Sequence, residues 1–449
     1  MKLNLFRSLA FVSVLLLGAA TASAYDFEVD GIFYNKNADG LSATVTYKNS
    51  GGNYYKGAVV IPASVTCSGK TYSVTAIGDR AFYQCSGLTS VVIPNSVTTI
   101  GGEAFNICDG LTSIEIPNSV TTIGYSTFCH SGLTSVVIPN SVTTIGTQAF
   151  SDCSGMASII VESGNSVYDS RDNCNAIVET ATNSLLFGCK NTTIPNSVTT
   201  IGDFAFRDCS GLTSIGIPNS VTTIGNSAFR GCRGLTSVEI PNSVTTIGSG
   251  AFESCDGLKS VSLGNSVTTI GAFAFYYCIG LTSIEIPNSV TAIGGSAFYN
   301  CWGLTSIEIP NSVTAIGGAA FNWCYRLKSV TSLNTIPPYT DYSTFLNVPS
   351  SCVLYVPTGS VEAYRVAEGW SRFTNIKALP AGVEGVDADA VTVRGENGVI
   401  RIDGAEGAMV EVYNAAGVCV YSGEATEVPV PQRGIYVVKV AGRATKLAL

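Results

Sequence analysis

The sequence predicts a β-rich solenoid in which 23-residue repeats stack into a parallel sheet between two caps, followed by a small all-β sandwich. The main observation is that one 23-residue pattern recurs along most of the chain, because self-similarity at a fixed period is typical of stacked repeat proteins. The composition agrees with it: 46% of the 449 residues are hydrophobic and only 12% are charged. Such a chain is too apolar to be intrinsically disordered.

The N-terminal residues 1–24 have the pattern of a secretory signal sequence. A basic region with Lys2 and Arg7 precedes an apolar stretch, and residues 22–24 (Ala-Ser-Ala) supply the small residues of a cleavage site. The apolar stretch is shorter than the ~20 residues that a membrane-spanning helix needs. We therefore expect export, cleavage before Tyr25, and no transmembrane segment in the mature chain.

An N-terminal cap is expected over residues 25–75. The first coil of a solenoid leaves apolar side chains and strand edges uncovered, so a cap is physically required. Residues 25–34 and 59–62 contain the alternating and β-branched residues of short strands. These segments are predicted to close the N-terminal end of the stack.

The repeat unit of residues 76–330 reads LTSIEIPNSVTAIGGSAFYNCWG where it starts at Leu281. Period-2 alternation turns Ile284 inward and Glu285 outward, which predicts a short strand. Pro287 ends that strand because proline cannot donate to a strand ladder. The Ala-Phe pair that follows is predicted to return into the core as a short helical or extended segment. Stacking such units is expected to form one continuous core and one parallel sheet.

Two units depart from the period. One unit is a residue short, and counting back from Leu133 places His130, the only histidine, at the position that a cysteine has elsewhere. Between Met156 and Leu212 the spacing exceeds two periods. Residues 157–194 are therefore predicted to form an enlarged repeat that carries a projecting hairpin.

Fifteen cysteines in an exported chain usually indicate disulfides. Here most of them recur at one repeat position, so they are expected to form a column of free thiols that behave as small core hydrophobes. Neighbours in a parallel stack lie ~4.8 Å apart but seldom turn their Cβ atoms toward each other, as a disulfide requires. With no Cys-x-x-Cys pair and a single histidine, a zinc site is not expected.

The C-terminal part divides into a cap and a separate domain. Residues 331–380 contain a strand-like segment at 352–357 and a short helical segment after it, and they are predicted to close the stack. Beyond residue 380 the repeat ends and the charge density rises. Alternating runs in residues 381–449 predict a small β-sandwich.

The motif LTSIxIPNSVTxIGxxAFxxCxG resembles the BspA-like leucine-rich repeat family, also called Treponema-type or type-5, over roughly residues 58–330. The resemblance implies a leucine-rich repeat solenoid and an adhesin at the cell surface, with host extracellular-matrix proteins or other cells as partners. Residues 410–417 and 434–440 resemble the C-terminal sorting domain of type IX secretion, which implies attachment to the outer-membrane surface. The Tyr-Pro-Asn-Pro opening typical of that domain is absent, and a plain terminal sandwich is the alternative.

No catalytic constellation is found, so the chain is not expected to be an enzyme. The sequence has no Gly-x-Gly-x-x-Gly segment in a βαβ context, no P-loop and no His-Glu-x-x-His motif. Neither a cofactor nor a metal site is therefore expected. The net charge of −8 provides no basic surface for nucleic acid.

The outward position of the predicted strands is the first candidate binding surface. It carries valines and Ile160 toward the N-terminal end, and glutamates at Glu115, Glu239, Glu285 and Glu308. Glu285 and Glu308 are expected ~5 Å apart, a separation that also suits a retaining glycosidase pair. The repeat produces this spacing by itself, so we interpret it as an acidic stripe. The alternative is a sheet face that contacts only solvent.

The second candidate surface is the variable loop before each strand. In the last units it carries Tyr276, Tyr299, Trp302, Trp323 and Tyr325. Aromatic clusters with polar handles are common in protein interfaces and can stack on sugar rings. The alternative is that these side chains pack beneath the terminal cap.

These features predict an exported, surface-displayed, non-enzymatic adhesin or protein-binding scaffold that uses its sheet face and loops. The alternative function is glycan binding through the aromatic loops near Trp302 and Trp323. A third hypothesis is an architectural spacer, in which the repeats only hold other parts of the chain apart.

Overall fold

The computed structural model describes residues 24–49, 52 and 54–379. It also describes six segments of the C-terminal domain, 391–396, 399–405, 408–414, 419–430, 435–440 and 443–448. The predicted signal sequence, apart from Ala24, lies outside the described residues. So do the predicted boundary at residues 380–390 and parts of the sorting-domain motif.

Each regular coil has three sides, formed by a strand, a second and shorter strand, and a series of turns. The strand of the Leu-Thr-Ser-Ile segment forms what we call the face sheet. Its strands pair in parallel at a spacing of one repeat, Ser237 with Ser260 and Ser260 with Ser283, which confirms the predicted solenoid. The face sheet consists of the strands Gly57–Val60, Leu88–Val92, Ser135–Ile138, Ser158–Val161, Ser237–Glu239, Ser260–Ser262, Ser283–Ile284, Ser306–Ile309, Ser329–Ser332, Val353–Val356 and Asn375–Ala378.

The second side is a ladder of two-residue strands, here called the Thr-Ile sheet, so the expectation of a single parallel sheet is wrong. These strands lie where the sequence reads Val-Thr-Thr-Ile or Val-Thr-Ala-Ile, and they pair in parallel from coil to coil. Two residues suffice because the next turn starts at the following glycine. The ladder contains Thr99–Ile100, Thr122–Ile123, Thr144–Ile145, Thr200–Ile201, Thr223–Ile224, Thr246–Ile247, Thr269–Ile270, Ala292–Ile293 and Ala315–Ile316.

A glycine follows each Thr-Ile strand because the coils approach closely there. A Cβ atom at Gly294 would lie 2.4 Å from the backbone nitrogen of Ala272 in the preceding coil. Any side chain would push the two coils apart at this corner. The repeated glycine is therefore a condition for stacking.

The third side, here called the turn face, is neither the helix nor the extended segment that the sequence predicts. It is a series of tight turns in which the Phe275 N–H donates to the Ala297 carbonyl of the next coil, at 2.8 Å. Phe273 and Tyr277, which donate in the same way to the Gly295 and Tyr299 carbonyls of the next coil, have φ near +59°. Left-handed residues bring every second N–H toward the adjacent coil, so this side too is bonded between coils.

A ladder of phenylalanine rings runs through the interior. The Phe252, Phe275 and Phe298 centroids are separated by 5.5 Å and 5.4 Å, and the rings are within 9° of parallel. The cap residues Tyr55 and Trp370 contact the two ends of the ladder, 4.5 Å from Phe82 and 4.8 Å from Phe345 respectively.

The core is divided into two buried clusters that meet at the enlarged repeat, so the expected continuous core is interrupted. Ala176–Glu179 and Ser184–Gly188 form an antiparallel hairpin there, preceded by the short strand Tyr168–Asp169 and the 3₁₀ turn Arg171–Asn173. The hairpin does not project, since Ile177 and Leu185 are fully buried. Its second strand pairs in parallel with Thr200–Ile201, so it restarts the Thr-Ile sheet.

Both ends of the stack are closed by non-repeating segments. At the N-terminal end the cap consists of the strands Phe27–Val29, Ile32–Lys36, Ser42–Thr46, Ser64–Cys67 and Lys70–Ile77, the last of which begins the Thr-Ile ladder. At the C-terminal end, Val353–Val356 is followed by the helix Val361–Val366, the 3₁₀ turn Trp370–Arg372 and a final parallel strand.

The C-terminal domain is all-β, as predicted. Its two antiparallel sheets share a core in which Ile400 and Ile402 of one sheet pack with Val410, Val412 and Val438 of the other. The first sheet contains Thr392–Glu396, Val399–Asp403 and Glu427–Pro429, and the second Met409–Asn414, Cys419–Glu424, Ile435–Val440 and Arg443–Ala448.

The cysteines are free thiols in the structure, as their spacing predicts, and thirteen of the fifteen are buried. The Cys255 Sγ donates to the carbonyl of Phe229, 3.1 Å away in the preceding coil, and Cys278 repeats the contact with Phe252. Burial raises the pKa of these thiols well above the ordinary value. The thiolate is the reactive form of cysteine, so the column is chemically protected.

This arrangement predicts which thiols react in the folded protein. At pH 8, iodoacetamide is expected to modify Cys419, which is exposed, and Cys67, which is partly exposed, before any other cysteine. Peptide mass spectrometry of the native and the guanidine-unfolded protein measures the difference. Rapid modification of Cys255 or Cys278 in the native state would contradict the protected column.

Candidate functional site

The outward positions of the face sheet form one continuous surface, because the register places equivalent residues side by side. Glu239 pairs with Ser262, and Glu308 pairs with Thr331. The predicted glutamates are all exposed, as are the apolar residues of the N-terminal half. That half presents Val60, Val92, Val137 and Ile160 with 64%, 56%, 45% and 48% of their surface exposed.

Among the described residues, Glu239, Glu285 and Glu308 form no salt bridge, although the exposed Lys259 and Lys328 lie in coils of the same half. The ion pairs among the described residues involve other carboxylates. Although Glu308 is exposed along the face, the surrounding coils limit the hydration of its carboxyl group. This burial, and secondly the charge of Glu285, raise the pKa of Glu308 above its ordinary value. Glu239 lies two coils before Glu285 at the same outward position. These three residues form one acidic patch, defined here as Glu239, Glu285 and Glu308.

Glu115 does not belong to this patch, although its sequence position is equivalent. It lies on the other side of the enlarged repeat, in a groove of about 980 Å³ between the strands Leu88–Val92 and Ser135–Ile138. Val92 and Val137 line the same groove, and Glu162 lies at its edge. The valines at the outward position indicate an apolar surface, but no sequence signal reveals the groove itself.

The predicted aromatic residues form two clusters on the turn face. In the first, Tyr276 stacks on Tyr299 with a centroid distance of 4.9 Å and an interplanar angle of 16°. In the second, Tyr325 contacts Trp323 edge-on at 5.0 Å and Trp302 at 6.3 Å.

The second cluster is not covered by the C-terminal cap. Trp302, Trp323 and Tyr325 have 46%, 38% and 43% of their surface exposed. The tryptophan that packs in the cap is Trp370, which is fully buried and donates its Nε1–H to the Pro338 carbonyl at 2.9 Å. The alternative that Trp302 and Trp323 pack beneath the cap is therefore wrong.

The structure places His130 at a different position of the repeat from the one predicted by counting back from Leu133. Ser131, not His130, occupies the cysteine position, and its Oγ lies 3.3 Å from the Cys153 Sγ. His130 has φ +55° and lies on the turn face, where its Nδ1 is 2.6 Å from the Asp152 Oδ2. The missing residue is therefore in the loop between Ser131 and Leu133, because the turn before it keeps its full length.

A group of charges surrounds this histidine. On the turn face, the coil before the enlarged repeat contacts the coil after it directly. There the Asp152 N–H donates to the Arg207 carbonyl at 3.2 Å. Burial of the Asp152 carboxyl and the neighbouring charge of Asp208 raise its pKa to about 6, against opposing effects of His130, Arg207 and Arg233. We call these residues the charged seam.

Two further features were sought among the described residues, a cluster of metal-binding side chains and a membrane-spanning helix. They contain no group of three or more His, Cys, Asp or Glu side chains arranged to hold a metal ion. None of the helices in this part of the chain is long and apolar enough to cross a bilayer.

Comparison with protein families finds one match. The model of the BspA type leucine rich repeat region matches in six copies, over residues 75–179, 182–301 and 245–357. No curated protein matches the sequence.

Solved structures similar to this chain include three leucine-rich repeat proteins. A leucine-rich repeat protein from Eubacterium ventriosum is 24% identical with a TM-score of 0.52, over 76% of this chain and 93% of that chain. A leucine rich cell surface protein from Faecalibacterium prausnitzii is 28% identical with a TM-score of 0.43, over 68% and 94%. A leucine-rich repeat protein from Bacteroides ovatus is 26% identical with a TM-score of 0.45, over 79% and 100%. The first of these likenesses shows the shared fold.

The charged seam predicts a specific pH dependence of stability. Because folding raises the pKa of Asp152 from 3.8 to about 6, the folded state binds the proton more tightly, and this contribution to stability is lost as the pH rises through 6. When the pH rises from 5 to 7.5, the free energy of unfolding of Asp152→Asn should therefore fall by about 1 kcal/mol less than that of the unmodified chain. Guanidine unfolding at both pH values measures the difference.

The matched control is Asp109→Asn, at an exposed residue of the same face. It should leave the pH dependence unchanged. An equal response of the Asp152 variant and the unmodified chain would show that this carboxyl titrates normally.

Proposed function

Because the chain belongs to the BspA-type leucine-rich repeat family, we propose that it is a non-enzymatic scaffold that binds proteins at the cell surface. The observation that carries the proposal is the acidic patch, in which exposed carboxylates lie along the face sheet and have no salt-bridge partner in the described part of the chain. A folded chain gains nothing from holding like charges together. A basic partner surface would supply the missing cations.

The shape of the face sheet supports a protein partner in preference to a small molecule. The patch extends over four consecutive coils, from Glu239 to Glu308, at ~4.8 Å per coil. Small side chains such as Ser237, Ser260 and Ser283 flank it, so a partner can approach the backbone closely. An extended, flat contact of this kind suits a protein interface, where complementary charges determine specificity and the rate of association.

Adhesion to host extracellular-matrix proteins or to other cells is the biological role we propose for this interface. Export is part of the proposal, and the pattern of residues 1–24 supports it. The all-β C-terminal domain would then act in sorting to the outer surface, as its resemblance to type IX sorting domains implies.

Charge reversal of the acidic patch tests the proposal. The triple variant Glu239→Lys, Glu285→Lys and Glu308→Lys should weaken adsorption to immobilised matrix proteins by at least about tenfold, because it replaces attraction by repulsion. Surface plasmon resonance at low and physiological salt measures the change. The unmodified chain should also lose affinity as salt rises.

The matched control reverses three exposed carboxylates elsewhere, Asp109→Lys, Glu362→Lys and Glu368→Lys. It makes the same change in net charge. If both triple variants lost affinity equally, net charge alone would explain the effect. If neither lost affinity, the acidic patch would be rejected as the binding site.

Glycan binding is the second candidate function, and the exposed aromatic cluster on the turn face favours it. Trp302, Trp323 and Tyr325 present ring surfaces to solvent, and the two tryptophan rings lie 6.3 Å and 5.0 Å from the Tyr325 ring. Sugar rings stack on such surfaces, and the Trp302 Nε1–H donates to the Oδ1 of Asn300, which is buried beside the cluster.

A glycan array distinguishes this function from protein binding. If the cluster binds sugars, Trp302→Ala and Trp323→Ala should each abolish the signal, because each removes a stacking surface. Tyr342→Ala is the control, since Tyr342 is an exposed aromatic residue outside the cluster. Absence of a signal from the unmodified chain, or its survival in both tryptophan variants, would rule out this second function.

A further inference from the structure

The N-terminal cap extends the two sheets of the solenoid by different amounts. Ser42–Thr46 and Gly57–Val60 belong to the same coil, because each pairs in parallel with a strand of the next coil. On the Thr-Ile side, Ile32–Lys36 and Phe27–Val29 continue the sheet beyond that coil. On the face side, Gly57–Val60 is the terminal strand of the sheet among the described residues. The end of the stack is therefore higher by two strands on the Thr-Ile side, and the space beside the outer edge of Gly57–Val60 is called here the terminal step.

The outer edge of Gly57–Val60 carries backbone groups that face the terminal step. On the inner side, the Ile61 N–H that follows the strand donates to the Val92 carbonyl of the next coil at 3.0 Å. Successive N–H groups of a strand point to opposite sides, so those of Ala58 and Val60 point toward the outer edge. An edge strand with such groups is a template for pairing with a further strand.

A cavity of about 370 Å³ provides room beside this edge. Ala58 and Val60 line it on the strand, and Asp30 and Gly31, at the turn between the two cap strands, line it as well. Its volume falls within the ~300–1,000 Å³ that ligand sites have. An internal strand lacks such space, because the next coil lies only ~4.8 Å away. The terminal step is therefore a place where the sheet can be extended.

A buried polar group without a partner lies in the wall of the cavity. Tyr34 is fully buried and lines the cavity, and its Oη has no hydrogen-bond partner among the described residues. Burial, and secondly the charge of Asp30, raise the pKa of Tyr34 to about 12, so the phenol stays protonated at neutral pH. A buried hydroxyl without a partner is unfavourable, and an occupant that offers it an oxygen would remove this penalty.

Asp30 gives the cavity an unpaired negative charge. It forms no salt bridge in the part of the chain that the structure describes. Lys56 also lines the cavity, but the stem of its side chain lies against Gly87 of the next coil. A basic side chain of an occupant would supply the cation that Asp30 lacks.

The outward position beside the terminal step is apolar. Val60 is exposed there, and Val92 continues the apolar surface in the paired strand. A strand added at the edge would place its own outward side chains beside Val60. Apolar residues on one side of that strand and a basic residue on the other match the two sides of the terminal step.

We propose that the terminal step binds an extended segment of a partner protein, which pairs with the outer edge of Gly57–Val60, places apolar side chains beside Val60 and directs a lysine or arginine toward Asp30. Strand addition of this kind obtains affinity from main-chain hydrogen bonds and specificity from the alternating side chains. The inference rests on the proposed function as a protein-binding scaffold. It does not depend on the acidic patch, which lies on the other side of the enlarged repeat.

Synthetic peptides test the inference with the full chain. The probe is acetyl-Thr-Val-Lys-Val-Thr-Val-Thr-amide, and the control peptide has glutamate in place of its lysine. Calorimetric titration should show that the probe binds and that the control binds at least about tenfold more weakly, because its carboxylate faces Asp30. At saturation with the probe, amide hydrogen exchange at Ala58 and Val60 should slow by about tenfold or more, with no change at Ser306–Ile309.

Protein variants locate the site. Ala58→Pro removes an N–H donor of the outer edge, and Asp30→Asn removes the charge, so each should weaken binding of the probe by at least about tenfold. Tyr34→Phe should weaken it by about threefold or more without lowering the free energy of unfolding, because the Oη has no partner in the free chain. Glu28→Gln is the control, at an exposed carboxylate of the same hairpin that does not line the cavity, and it should leave the affinity unchanged.

No binding of the probe, equal binding of the glutamate peptide, or unchanged exchange at Ala58 and Val60 would each overturn the inference. Full affinity in both Ala58→Pro and Asp30→Asn would do the same. The acidic-patch triple variant should bind the probe as tightly as the unmodified chain does. If that variant also adsorbs normally to matrix proteins, the acidic patch is rejected while the terminal step stands. If the probe does not bind and the triple variant loses adsorption, the terminal step is rejected while the acidic patch stands.

Discussion

Contact between one coil and the next is the interaction on which the rest of the structure depends. A single 23-residue unit cannot cover its own leucine, isoleucines, valine, phenylalanine and cysteine, and it becomes stable only when the same side chains of its neighbours pack above and below. The structure satisfies this condition on every side of the coil at once. The two strand ladders, the turns and the Phe ladder all bond or pack between coils. The same repetition places the outward glutamates side by side, so the proposed binding surface results directly from how the core is buried.

The enlarged repeat shows what happens when this repetition is broken. Phe150 and Phe187 meet edge-to-face at 85°, in contrast to the stacked rings elsewhere, and the buried residues separate into two clusters. The hairpin nevertheless restarts the Thr-Ile sheet, and the Asp152 N–H donates to the Arg207 carbonyl across the enlarged repeat, so regular stacking resumes after it. Two kinds of surface result, an apolar one before the hairpin and an acidic one after it, and the charged seam on the turn face marks the same boundary.

Much of the fold could be predicted from the sequence because each regular unit repeats the same physical requirements. The alternation around Ile284 predicts the face strand, and the cysteine spacing predicts a thiol column, and both are confirmed. The Thr-Ile strands were missed because two residues are too few to show a period. The turns after each glycine were missed because they depend on left-handed residues of many types, including Phe273 and Trp323. The position of His130 could not be predicted by counting back from Leu133, because the missing residue lies between Ser131 and Leu133. The candidate site is less predictable: identical decapeptides are paired at residues 304–313 and unpaired at residues 111–120, so the groove depends on the neighbouring coils.

The glycine at the corner of each coil has a further consequence for molecules of this architecture. Since a Cβ atom at Gly294 would collide with the backbone below it, the separation between coils is held at the minimum that the main chain allows. Each additional unit therefore lengthens the molecule by a constant increment of ~4.8 Å, whatever its surface residues are. Tandem duplication or loss of whole units changes the reach of the protein in uniform steps and leaves both end structures intact. Height above a surface thus becomes a quantity set by copy number, independent of the chemistry displayed along the way.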